Sequence, residues 1–128
     1  MVRSRSWLVL PLLVVLAGCA PALTVTTIFD DQREAADTLP DEASTLDGIE
    51  PETSRLLWEG DGVSFYATRG EGDPGTVLCL VAVEKGGPAA ACSGRVPITM
   101  TAAGVEGSFG EDSPGADWVE RAPHFWTR

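Results

Sequence analysis

The sequence predicts an α+β, β-rich fold in which a short N-terminal helix precedes a small antiparallel sheet domain with one disulfide. Three observations carry this expectation. From Arg55 onward, short apolar or alternating runs recur between clusters of Gly, Asp, Glu and Pro, the pattern of consecutive antiparallel strands. Cys79 and Cys92 fall opposite each other if the two runs holding them form one hairpin. Ahead of the first run, a helix-forming stretch is acidic at its start and closed by Pro40.

The chain begins with Arg3 and Arg5, then an apolar run from Trp7 to Leu16 broken only by Pro11, then Leu16-Ala17-Gly18-Cys19. A charged start, an apolar core and small residues before a cleavage point are the grammar of an export signal. Leu16-Ala17-Gly18-Cys19 resembles the lipobox of bacterial lipoproteins. The resemblance implies that residues 1–18 are a signal peptide, that Cys19 carries a diacylglyceryl group, and that the mature chain is anchored on the extracytoplasmic face of the cell membrane. Two acyl chains, at about 0.8 kcal/mol per buried methylene, make such an anchor lasting. The alternative is an uncleaved membrane span, since Ser6 to Phe29 holds no charged residue. Against it, the strong hydrophobicity stops at Leu16, and Pro21, Thr24, Thr26 and Thr27 follow. Both readings leave Arg3 and Arg5 in the cytoplasm and the remainder outside.

Residues 19–27 then read as a lipidated tether and 28–54 as a helical stalk and polar linker. Thr27 or Asp30 can cap the helix, and Asp30, Asp31 and Glu34 suit the positive end of its dipole. Ile28 or Phe29, with Ala35, Ala36 and Leu39, forms a thin apolar stripe that either leaves a free stalk or packs on the domain. Pro40 ends the helix, and residues 40–54, with Gly48 and Pro51, read as a loop.

Residues 55–128 form the β-rich domain. Arg55–Trp58 is a short strand, turned by Glu59-Gly60-Asp61-Gly62. Val63–Arg69 alternates, with Val63, Phe65 and Ala67 on one side and Ser64, Tyr66 and Thr68 on the other. Thr76–Val83 is apolar almost throughout, which predicts a central strand covered on both faces. Pro88–Ser93, Arg95–Thr101, Val105–Phe109 and Asp117–Arg121 are further strands between glycine-bearing turns. With Lys85-Gly86 as a two-residue hairpin loop, Glu84 faces Gly87 and Cys79 faces Cys92. That pair falls on a non-hydrogen-bonded site, where Cα atoms lie roughly 4.5 Å apart, close enough for a disulfide. A four-residue loop keeps the facing pairs, and an odd-length loop breaks them. Pro88 donates nothing to a further neighbour, which makes Pro88–Ser93 a candidate edge strand.

Cysteine count and charge bound the function. Of three cysteines, Cys19 is assigned to lipid, leaving Cys79 and Cys92 to pair in an oxidising compartment. Removing residues 1–18 leaves 110 residues, with 7 basic against 19 acidic side chains, a net charge of −12. Such a chain lacks the basic footprint of a nucleic-acid binder and is repelled by anionic lipid. Its acidity serves solubility or, alternatively, attraction of a cationic partner.

No catalytic, cofactor or metal residue is predicted. His124 is the only histidine and nothing marks a partner for it. The acidic turns Glu59–Gly62, Glu71-Gly72-Asp73 and Glu111-Asp112 lack the spacing of a calcium loop. Neither a Gly-x-Ser-x-Gly elbow nor a phosphate-binding loop occurs. Trp58, Tyr66, Trp118, Phe125 and Trp126 are expected to plug one end of the sheet, the alternative being an exposed contact surface.

Beyond the lipobox, Asp37-Thr38-Leu39-Pro40, Ser54-Arg55-Leu56, Val63 to Ala67, and Leu78-Cys79-Leu80-Val81 with Ala91-Cys92-Ser93 resemble small exported proteins of actinobacteria. That resemblance spans roughly residues 28–93 and implies no activity. The expectation is a membrane-anchored, non-enzymatic binding or envelope-associated module. The alternatives are an inhibitor or immunity-type module that neutralises a cationic protein, and an accessory subunit of an enzyme.

Overall fold

The computed structural model describes residues 24–72 and 77–128. The expected signal peptide, Cys19 and most of the expected tether lie outside the described residues. Eight strands form two antiparallel sheets. The first contains β1 (Ile49–Gly60), β2 (Val63–Gly70), β3 (Leu78–Glu84) and β4 (Gly87–Ser93) in that order. The second contains β5 (Ile98–Ala102), β6 (Val105–Phe109), β7 (Val119–Ala122) and β8 (Phe125–Thr127), ordered β5-β6-β8-β7. The β-rich class is as the sequence predicts.

The β3–β4 hairpin has the predicted register. Glu84 faces Gly87, Val83 faces Pro88 and Cys79 faces Cys92. The two cysteines are disulfide-bonded with Cα atoms 4.1 Å apart. β4 is an edge strand, so the donor that Pro88 lacks is not needed by a further neighbour. β3 is covered on both faces. Leu78, Leu80 and Ala82 enter one core, while Cys79 and Val81 enter another.

The first core lies between the sheets. Phe65, Phe109 and Phe125 are fully buried there, with Val25, Leu57, Val63, Ala67 and Ile98. Phe65 and Phe125 meet at 5.1 Å between ring centroids, a contact in the range of favourable aromatic pairs. Gly107 permits it, since a Cβ there would sit 2.9 Å from Phe65 and 3.0 Å from Phe125. The second core covers the outer face of the first sheet. Leu39, Ala43 and Leu46 lie over Ile49, Tyr66, Cys79 and Val81.

That outer cover corrects the N-terminal expectation. In place of one helix running to Leu39, there are two 3₁₀ segments, Thr24–Asp30 and Ala35–Asp37, and one turn of α-helix, α1 (Asp41–Ser44). Nor is this segment a stalk: it packs on the first sheet as a strap. The physical reason is competition. Asp37 accepts the backbone N–H of Leu56 at 2.8 Å and that of Glu34 at 2.8 Å, and short polar side chains that bond backbone groups disfavour helix interiors.

Two strands depart from expectation. β1 starts at Ile49, inside the stretch read as a loop. Its polar residues and Pro51 are tolerated because β1 is an edge strand with an irregular register between Glu50 and Arg55. There Thr53 Oγ1 accepts the Arg69 N–H at 2.9 Å in place of a ladder bond. A second irregularity inserts Leu57 between the Leu56–Tyr66 and Trp58–Phe65 pairs, and both Leu57 and Trp58 reach the inter-sheet core. β8 is only three residues long, too short for a periodicity to register.

Candidate functional site

The strap, β1 and the β7–β8 turn enclose a cleft of about 420 Å³. Asp31, Glu34 and Asp37 line it from the strap, Arg55 and Leu56 from β1, and Ala122, Pro123 and His124 from the turn. Ile28 adds apolar surface, and Thr27 and Gln32 complete the wall.

Hydrogen bonds from two arginines hold the strap wall in place. Arg55 Nη1 donates to the carbonyls of Thr53 and Ser54 at 2.9 and 3.1 Å. Its Nη2 donates to those of Phe29 and Asp31 at 3.1 and 3.0 Å, stapling strap to strand. Arg33 turns away from the cleft onto β1, with Nε on the Ser54 carbonyl at 3.1 Å and Nη2 on Ser54 Oγ at 2.8 Å. Ser54, itself fully buried, donates to the Asp37 carbonyl at 2.5 Å.

This wiring has an electrostatic consequence. The hydrogen bonds of both guanidinium groups go to neutral oxygens rather than carboxylates, and Arg55 Nε is buried without a partner among the described residues. Among the described residues the only ion pairs are those of Arg128 with Glu106 and Asp117. Asp31, Glu34 and Asp37 line the cleft with no side-chain cation at ion-pair distance, and the two Asp37 oxygens already accept the backbone N–H groups of Leu56 and Glu34.

The third wall is set by strain. Pro123-His124 joins the facing residues Ala122 and Phe125, and His124 is left-handed with φ 66°. For a non-glycine residue that conformation costs about 1 kcal/mol. Gly110 holds it there. Its N–H donates to the His124 carbonyl at 3.0 Å, and its carbonyl lies 3.2 Å from His124 Nδ1. A carbonyl only accepts, so Nδ1 carries the proton in this contact. Next in the chain, Glu111 accepts the Val25 N–H at 3.0 Å and the Thr24 hydroxyl. Burial pushes the Glu111 pKa up, but the bonds from Thr24 and Val25, with His124 nearby, bring it below the ordinary glutamate value.

The other sequence candidates are scattered. The disulfide lies on β3 and β4, apart from the cleft lining. Asp61 lies at one end of the first sheet and Glu71 follows the opposite end, so these acidic turns do not converge. Among the described residues, no group of three or more His, Cys, Asp or Glu is arranged to hold a metal ion, and no helix is long and apolar enough to cross a membrane. Phe125 and Trp126 are buried, and Trp118 is half-buried beneath the Arg128 guanidinium at 4.6 Å. Val119, at 51% exposure, is the only exposed large hydrophobic among the described residues, so Trp118, Phe125 and Trp126 are not exposed together.

Sequence reasoning missed the cleft. Asp31 and Glu34 have a sufficient local meaning as residues of a helix's first turn, and nothing in Pro123-His124 points to residues some ninety positions earlier. Comparison with protein-family models, with curated proteins and with solved structures gives no match.

Proposed function

We propose that this chain is a lipid-anchored, extracytoplasmic binding module, not an enzyme, and that its cleft takes a lysine or arginine side chain of a cationic protein. The observation that carries the binding reading is the cleft's composition. Three acidic residues without a paired cation, of which Asp31 and Glu34 are exposed, line the cleft beside Ile28, Leu56, Ala122 and Pro123. Lys and Arg are amphipathic in the complementary way, with an apolar stem and a charged head. The acidic body adds long-range attraction for such a partner, which equally suits an inhibitor or immunity-type role. The anchor rests on the lipobox at Cys19.

Calorimetric titration with a short lysine-rich peptide tests the cleft. Binding is expected to weaken with salt and to fall about two- to thirtyfold in Asp31→Asn/Glu34→Gln, since exposed ion pairs contribute about 0.2–1 kcal/mol each. Binding that ignores both salt and the double substitution would overturn the reading. Mass spectrometry of the mature N-terminus, with Cys19→Ser as control, tests the anchor. An unmodified, uncleaved wild-type chain refutes it.

A further inference from the structure

We propose that Cys92 is a site of thiol–disulfide exchange: the thiolate of an external dithiol attacks Cys92 Sγ, Cys79 Sγ leaves, and the Thr68 hydroxyl hydrogen-bonds the departing sulfur. Neither the cleft nor the anchor is involved. One row of side chains across β2, β3 and β4 carries the proposal. Thr68 faces Cys79, and Cys79 faces Cys92, so all three project from the outer face of the first sheet. Burial changes along the row. Thr68 and Cys79 are fully buried, and Cys79 shares its core with Leu39 and Ala43. Cys92 is exposed on the edge strand, and the residues before it, Ala89 to Ala91, are small.

That asymmetry sets the direction of attack. A thiolate approaches along the S–S axis from behind the sulfur it attacks, and access decides which sulfur that is. Cys92 is the accessible one, and exposed disulfides are the labile ones. Cys79 is then the leaving group, and its departure puts negative charge on a sulfur in an apolar core, which is costly. Thr68 Oγ1 is placed to offset that cost. It is buried with no hydrogen-bond partner among the described residues, a state that calls for an explanation in a folded protein. Directly opposite residues on neighbouring strands have Cβ atoms roughly 5 Å apart. Freed from Cys92, Cys79 Sγ can turn about its Cα–Cβ bond toward the hydroxyl, which donates to it. On the other side, the Gly48 carbonyl lies 3.8 Å from Cys79 Sγ and 4.0 Å from Cys92 Sγ, and it already accepts the Glu71 N–H. A disulfide has no proton to give that carbonyl, whereas a reduced Cys79 thiol has one. The fold thus holds a donor and an acceptor for a sulfur that uses neither while oxidised. Electrons and protons balance. As the new S–S bond to Cys92 forms, the Cys79–Cys92 bond breaks and its electron pair goes to Cys79 Sγ, which takes up a proton. The second sulfur of the dithiol then attacks the first and expels Cys92 as a thiol. The dithiol loses two electrons and two protons, and the protein gains both.

The test uses the full chain, oxidised, in detergent. It is treated briefly with 2-mercaptoethanol, quenched with acid, alkylated and cut with trypsin. Cleavage after Lys85 and Arg95 puts Cys79 and Cys92 on different peptides, so mass spectrometry reads the two sulfurs separately. The mixed disulfide is expected predominantly on Cys92. Equal adducts, or more on Cys79, would overturn the direction of attack. Thr68 is a positioning residue, and its variants test the second half of the proposal. Thr68→Val keeps the shape and removes the hydroxyl. It is expected to slow reduction by dithiothreitol about tenfold, the contribution of one hydrogen bond to a charged group. The oxidised variant should resist denaturant at least as well as wild type, because the hydroxyl it loses has no partner in that state. Thr68→Ser should restore the rate. A merely structural Thr68 gives the opposite result, lower stability with reduction at the wild-type rate or faster, and that outcome overturns its role.

Discussion

The two edges of the first sheet are protected by opposite chemistry. At β4 the protection is local and covalent, with Cys92 tied to Cys79 and Pro88 removing one outward donor. At β1 it is long-range and polar. Asp37 occupies the Leu56 N–H, Arg33 occupies the Ser54 carbonyl, and Arg55 reaches back to the strap. An unprotected edge invites pairing with another chain, and either solution prevents that. Only the polar one also builds a cleft, because it leaves carboxylates standing in a groove while the arginines are engaged elsewhere.

The difference can be broken from either side. Replacing both Cys79 and Cys92 by Ala is expected to have the largest effect on stability, about 3 kcal/mol in the chain-entropy account, read by denaturant unfolding. Cleft binding should persist under conditions where the variant remains folded, because neither cysteine lines the cleft. Arg55→Ala should cost somewhat less, about 2 kcal/mol, since it removes charge-assisted bonds to four carbonyls. Hydrogen exchange should then accelerate selectively between residues 24 and 47 while the β3–β4 hairpin stays protected. Lys at position 55 should rescue little, because it lacks the planar fork. Next comes Asp37→Ala, at about 1 kcal/mol, with exchange at the Leu56 amide as its readout.

The smallest effect sharpens the comparison through pH. The Glu111 pKa in the fold lies below its ordinary value. Its contribution to stability is therefore complete above the unfolded-state pKa of about 4.3 and is lost as pH falls through the lower, folded value. Exchange at the Val25 amide should accelerate over that acidic window in wild type. Glu111→Gln should flatten the dependence. An unchanged acid response in the variant would mean that another carboxylate governs it.

The same contrast explains what could be read in advance. The β3–β4 register was legible because a two-residue turn and a period of two determine every facing pair within one short hairpin. The alternation of β2 and the uniform burial of β3 were legible for the same reason. The N-terminal extension of β1 was not, since Glu50, Pro51 and Glu52 suit a loop and an edge strand equally well. The strap was misread because Ala35, Ala36 and Leu39 carry helical spacing, whereas the winning interactions come from Ser54, Arg55 and Leu56.

By itself, the sequence determined the β-rich class, the cysteine pairing and the acidity of the body, all of which follow from short-range periodicity and counting. Tertiary structure decided that the N-terminal segment is a strap, that the arginines are spent on carbonyls, and that Asp31, Glu34 and His124 share one cleft. The physical reason is range. Periodicity constrains neighbours along a strand, but a hydrogen bond from Arg55 to Phe29 or from Glu111 to Val25 depends on how distant segments pack.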